Sequence, residues 1–171
     1  MGIENISLGQ NFNNFLISTG AAGDAAANKK FTVVNNYNQY KDSFINLGTS
    51  YIQYLDKTFG NNDGNLTLEE FKKSQLAPLS EKDKKNKKFI QATENTFNNI
   101  NLNDDKVIDA KEMTALLGLF DQDYEKMEFD GQIKAGDVYY HSLDLTEKPG
   151  TFYAKSAKQE LKQIYLSIFS K

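Results

Sequence analysis

Cysteine and tryptophan are both absent from this 171-residue chain, histidine occurs once, at His141, and proline twice. Without cysteine there are no disulfides, no thiolate nucleophile and no sulfur-ligated zinc. A lone histidine leaves imidazole-built metal sites and a nucleophile-histidine-acid triad without material. Arginine is missing too, all twenty basic residues being lysine, so the bidentate guanidinium contacts that read phosphate and guanine cannot form. With a net charge of −3 the chain has no general attraction for nucleic acid, which is not expected as a partner. No apolar run approaches the roughly eighteen residues of a membrane span. The N-terminus lacks a basic segment followed by a continuous apolar stretch, so no secretory signal is expected. Ile6 stands where N-terminal acylation needs Ser or Thr. An enzyme is not expected either: there is no glycine-rich phosphate loop and no nucleophile beside a base.

What is present is oxygen chemistry. Between Asn101 and Asp137 ten acidic residues face four lysines, a cluster that repels itself unless a cation sits in it. Within it, Asn101, Asn103, Asp105, Asp109 and Glu112 fall at positions 1, 3, 5, 9 and 12 of a twelve-residue loop, the backbone carbonyl of Val107 fills position 7 and apolar Ile108 position 8. Calcium takes six to eight oxygens at short range, and a loop alternating ligand and non-ligand residues wraps it, with a long carboxylate last to bind through both oxygens. The stretch resembles an EF-hand. Its departure is Lys106 at position 6, where Gly is usual; a non-Gly residue taking the sharp turn there is expected to cost roughly 1 kcal/mol.

The pattern recurs. Asn61, Asp63, Gly64, Asn65, Leu66, Thr67 and Glu70 occupy positions 3, 5, 6, 7, 8, 9 and 12 of a second stretch, whose position 1 is Phe59, without a side-chain oxygen. Asp56, three residues upstream, is the expected substitute, with the entering helix stopping there and the loop enlarged by three residues. A third stretch has the same displacement: Asp130, Gly131, Gln132, Ile133 and Asp137 fit positions 5, 6, 7, 8 and 12, Lys126 fails at position 1, and Asp123 precedes Asp130 as Asp56 precedes Asp63. Glu128 is either a further ligand or surface charge. The 101–112 loop, with three formal charges and no enlargement, ranks first for affinity. The third, with Lys134 at position 9 and the short Asp137 at its end, ranks last and suits Mg2+ as well as Ca2+.

Helical periodicity flanks these loops, so the fold class is all-α, helix-loop-helix hands with short β pairing between loops. Residues 1–36 form an N-terminal extension, with apolar Phe12, Phe15, Leu16 and Ile17 and a strand-like Phe31–Val34. Hand 1 covers about 37–77, from Tyr37, Tyr40, Phe44, Leu47, Tyr51, Tyr54 and Leu55 to a helix stopped near Pro78. Hand 2 covers about 81–122, its first helix starting from a Ser80 cap and presenting Phe89, Thr93, Phe97 and Ile100. Hand 3 covers about 112–143 and shares the helix of Met113, Leu116, Leu117 and Phe120. A last amphipathic helix at about 154–170 carries Ala157, Leu161, Ile164, Tyr165 and Ile168. It is read as completing the core in preference to filling a target groove.

Helix sharing of this kind is similar to the penta-EF-hand family, although no fifth hand is recognisable. Hands 1 and 2, 42 residues apart at position 6, are expected to pair; hands 2 and 3, only 25 apart, are not. The third loop then takes its partner from Asp144–Phe152, where Gly150 and Phe152 have the spacing of positions 6 and 8. The resemblance implies calcium binding, as a sensor or buffer with a protein or peptide target. The alternative is a structural, extracellular module in which calcium only stabilises the fold. Only three Met argue against a promiscuous Met-lined groove. The seven lysines against two acids between Lys72 and Lys88 are read as a solvated face. The wealth of Asn and Lys fits an AT-rich microbial genome and leaves the compartment open.

Overall fold

The computed structural model describes residues 30–32, 37–121 and 132–169. In chain order these form β1 (Lys30–Thr32), α1 (Tyr37–Phe59), β2 (Leu66–Thr67), α2 (Leu68–Leu76), α3 (Glu81–Lys84), α4 (Lys87–Ile100), β3 (Val107–Ile108), α5 (Ala110–Asp121), β4 (Gln132–Lys134), α6 (Ala135–Leu145) and α7 (Phe152–Phe169). The described chain is mostly helical, with two short antiparallel strand pairs.

β2 pairs with β3, setting Leu66 opposite Ile108, and β1 pairs with β4, setting Phe31 opposite Ile133. Each of α1 and α5 is preceded and followed by one of these strands. The pairings therefore join the C-terminal end of α1 to the N-terminal end of α5, and the reverse, so the two helices lie antiparallel and are tied at both ends. Their contact is the most extensive between any two elements. At its middle Gly48 of α1 meets Thr114 of α5: a Cβ on Gly48 would lie 2.7 Å from the Thr114 Cα and 2.8 Å from its backbone N. Only hydrogen fits there.

From Glu112 to Asp121 every residue of α5 is buried, as expected for a helix covered on all sides. Around it Leu47, Tyr51, Leu55, Leu66, Phe71, Phe97, Ile100, Ile108, Leu116 and Phe120 form one core with Ala157, Leu161, Ile164 and Ile168 of α7. Leu66 and Ile108 thus serve at once as strand pair and as core, which fixes the two loops side by side. Helix α7 completes the core, the reading preferred from its pattern, and begins at Phe152 rather than 154.

Three expectations are corrected. The helix expected from Ser80 is split: Ser80 caps only the single turn of α3, and the chain restarts at Asn86, whose side chain accepts the Lys88 N–H at 2.9 Å to cap α4. Asn competes with helical bonding and favours caps, and five lysines in seven residues disfavour one continuous exposed helix. The strand β4 finds its partner in β1, not in Asp144–Phe152. The carbonyls of Leu145, Thr146 and Glu147 are taken by Asn99 and Asn95 of α4, at 2.9 to 3.0 Å, and so offer no strand edge. The segment turns instead through Gly150, at φ +94°, into α7. Third, α1 does not stop at Asp56 but runs to Phe59, so no enlarged loop forms. Asp123, Glu128 and Asp130, and the apolar cluster of residues 12–17, lie outside the described residues; Gln132 and Asp137 fall in β4 and α6.

Candidate metal centre

The loops at 59–70 and 101–112 are held by one hydrogen-bond pattern. Asn61 Oδ1 accepts the Asp63 N–H at 3.2 Å, and Asn103 Oδ1 that of Asp105 at 3.3 Å, from position 3 to position 5. Asp63 Oδ1 accepts from Asn65 at 2.9 Å, and Asp105 Oδ1 from Val107 at 3.1 Å, from position 5 to position 7. Short polar side chains that bond two residues ahead curl the backbone inward and turn their remaining lone pairs toward the loop centre. Position 4 is left-handed in both, at Asn62 (φ 63°) and Asp104 (φ 54°), residue types that tolerate it. At position 6 the loops differ. Gly64 takes φ +89°, but Lys106 stays out of the left-handed region, so the cost expected for it is not incurred.

The closing carboxylates are matched too. Glu70 receives the Thr67 N–H on Oε1 at 2.9 Å and the Asn61 N–H on Oε2 at 3.0 Å. Glu112 receives Asp109 on Oε1 at 3.0 Å, and Leu102 and Asn103 on Oε2 at 2.6 and 3.3 Å. Each glutamate therefore clasps the start and the ninth position of its own loop. Thr67 and Glu70 form a capping box that starts α2, and Asp109 Oδ1 accepts the Glu112 N–H at the start of α5. Helix start and loop closure use the same side chains.

Position 1 is where the loops part. In the first, Asp56 reaches in from the last turn of α1, one helical turn before Phe59, its Oδ1 accepting from Asn62 at 3.1 Å and its Oδ2 from Gly64 at 2.6 Å. Buried to 1 % exposure, it is a carboxylate aimed into the loop. Gly60 makes room for it: a Cβ there would lie 2.8 Å from Glu70 Oε2 and 2.9 Å from the Asp56 carbonyl. Asp56, Asp63 and Glu70 each bring one carboxylate oxygen within 4.8 Å of the others. Among the described residues, this is the group of three acids whose spacing suits a cation. Gly60 was missed in the sequence; a glycine between a substituted position 1 and a ligand pattern is its signal.

In the second loop Asn101 is 5 % exposed, and its Nδ2 donates across the loop to the Asp105 carbonyl. Its Oδ1 is buried with no hydrogen-bond partner. That unmatched oxygen and the carboxylates of the same loop are all oxygen donors, the kind of set a hard cation takes. Burial first, and then the neighbouring Asp109 carboxylate, push Glu112 up to about 7 against the pull of its three N–H donors. The same acidic loop raises Tyr165 of α7, after burial, through the fields of Asp109, Glu112 and Asp105, which places the end of α7 beside the loop. Lys111 lies over the Phe169 ring, 5.4 Å from its centre.

The raised Glu112 sets a pH dependence. Its folded value lies above the ordinary 4.5, so the folded state holds the proton more tightly than the unfolded one. Ion-free protein is therefore expected to lose stability as pH rises from about 4.5 to about 7 and to change little beyond. Glu112→Gln removes this part of the slope. Urea denaturation across that range, variant against parent, measures it, and equal slopes would count against the burial of this carboxylate.

No protein-family model, curated protein or solved structure matches the chain.

Proposed function

We propose that this chain is a calcium-binding protein of the EF-hand kind, whose loops at 59–70 and 101–112 act as a pair. The observation that carries the reading is the convergence of Asp56, Asp63 and Glu70 within 4.8 Å in a loop whose backbone follows the same turns as its neighbour. Asp56, Asn61, Asp63, the Asn65 carbonyl, Thr67 and Glu70 hold the ion in the first loop. Asn101, Asn103, Asp105, the Val107 carbonyl, Asp109 and Glu112 hold it in the second. A divalent cation removes the repulsion among the carboxylates and takes over the oxygens that backbone N–H groups now occupy. The third stretch, Asp123 to Asp137, is the weaker candidate and admits Mg2+.

Release of Glu70 and Glu112 from those N–H groups loosens the starts of α2 and α5, the movement by which the ion would act on helix packing. A sensor or buffer keeps its helices without the ion, whereas a module that calcium merely staples does not. The structural alternative expects helicity to fall on chelation, which circular dichroism reads directly.

Calorimetric titration of chelator-stripped protein is expected to resolve at least two calcium sites, with Glu70→Gln and Glu112→Gln each removing one. If neither substitution changes the stoichiometry, the reading fails. Because the proton on Glu112 competes with the ion, affinity at the second loop should rise with pH up to about 7.

A further inference from the structure

We infer that the Asp63–Gly64 peptide is a site of covalent self-modification, where the backbone rearranges through a succinimide to isoaspartate when the first loop holds no ion. Asp or Asn precedes glycine at two places, 63–64 and 130–131, of which the second lies outside the described residues. The reaction needs a carboxyl carbon folded over the next peptide, a following residue without a side chain to obstruct the ring, and an acceptor for the amide proton. The first loop supplies each. Asp63 Oδ1 accepts the Asn65 N–H at 2.9 Å, which carries the carboxyl carbon forward over the Gly64 nitrogen. Gly64 is exposed at φ +89°, and an added Cβ there would meet nothing within 4 Å, so the peptide has room to turn. Its N–H donates to Asp56 Oδ2 at 2.6 Å. That bond lies in the peptide plane, so it leaves the face of the nitrogen open for attack while a carboxylate stands ready to take the proton.

In the ring-closing step the Gly64 nitrogen bonds to Asp63 Cγ and its proton passes to Asp56. The hydroxyl of the Asp63 carboxyl, in its acid form, leaves as water with that proton. Water then adds to the former main-chain carbonyl of Asp63 and breaks its bond to nitrogen. The chain now runs through Cγ, the α-carboxylate is freed, and the product has the mass of the parent. Its main chain is one methylene longer and its carboxylate sits directly on Cα, so it no longer converges with Asp56 and Glu70. The second loop is the internal contrast: Asp105 makes the same bond two residues ahead, to Val107 at 3.1 Å, but is followed by Lys106, whose side chain obstructs the ring. An ion held by Asp63 ties up the oxygen that must leave, so calcium protects the site. That last step rests on the calcium reading proposed above, whereas the chemistry of the ion-free chain does not.

The test is to age the full chain in chelator and, separately, in calcium, and to treat its peptides with an isoaspartyl O-methyltransferase and labelled S-adenosylmethionine, which marks the freed α-carboxylate. In chelator, label should accumulate in the peptide carrying Asp63 and stay at background in the one carrying Asp105. Asp56→Asn should slow the labelling several-fold with circular dichroism unchanged, and Gly64→Ala should abolish it. Alanine is strained at this φ, so the Asp105 peptide of the parent carries the same comparison in an intact loop. Protein aged in chelator should lose the first-loop site from its calorimetric stoichiometry and keep the second. No label at Asp63, equal label at Asp105, or an Asp56→Asn variant that ages as fast as the parent overturns the inference. So does label that forms equally fast in calcium when calorimetry shows the first loop occupied. If calorimetry shows no calcium bound at all, the calcium reading fails by itself and the label in chelator still decides this one.

Discussion

Gly48→Ala is expected to destabilise the protein by about 3 kcal/mol, the upper part of the range for overpacking a well-filled core. At an ordinary helical site the same substitution stabilises by up to about 1 kcal/mol, because glycine loses more backbone freedom on folding than alanine does. The sign reverses here because the added Cβ would lie 2.7 and 2.8 Å from the Cα and N of Thr114, backbone atoms that cannot swing aside. The remaining way out is to separate α1 from α5, which the two strand pairs resist from both ends. Thr114→Ala should therefore not rescue the variant, since it leaves those atoms in place. For a chain of this length the melting temperature should fall by about 10 °C. A Gly48→Ala variant as stable as the parent would mean that the helices do not cross this closely.

Asp56→Asn should move stability and calcium affinity in opposite directions. In the ion-free protein three carboxylates converge within 4.8 Å, and removing one charge at a buried position relieves more repulsion than is lost when Asn keeps an acceptor for only one of the Asn62 and Gly64 N–H groups. The apo melting temperature is then expected to rise by a few degrees. Calcium, in contrast, loses a charged ligand, and affinity at the first loop should drop about a hundredfold, at least as much as supporting residues around metals typically contribute. Thermal melts with chelator and with calcium, on parent and variant, read both effects. If Asp56→Asn leaves calcium binding unchanged while Glu70→Gln removes a site, the first ligand comes from elsewhere and Asp56 is only a helix-end cap.

The two predictions probe features of different visibility. Asp56 was legible because a ligand pattern with one gap, and an acid one helical turn before the gap, constrain each other. The sequence could not reveal that α1 continues past it, since whether a helix ends at an Asp or one turn later depends on what the carboxylate bonds. Gly48 was invisible: one glycine in a helical pattern looks the same whether it faces solvent or another backbone. The Asn86 break of α4 was hidden in the same way, because Asn caps a helix or rides on it according to the packing beyond it.

Most of the helices, the oxygen-rich loops and the pairing of Leu66 with Ile108 could be read from the sequence, though not where α1 ends or where α4 begins, because periodicity and ligand spacing are local and a position-8 apolar residue has one place to go. Tertiary structure alone decided which strand completes the β4 edge, how closely α1 and α5 approach, and which acids converge. Those outcomes depend on residues distant in the chain competing for the same backbone groups and the same space. Asn95 and Asn99 claimed the carbonyls at 145–147, and β1 took the edge that Asp144–Phe152 could then no longer fill.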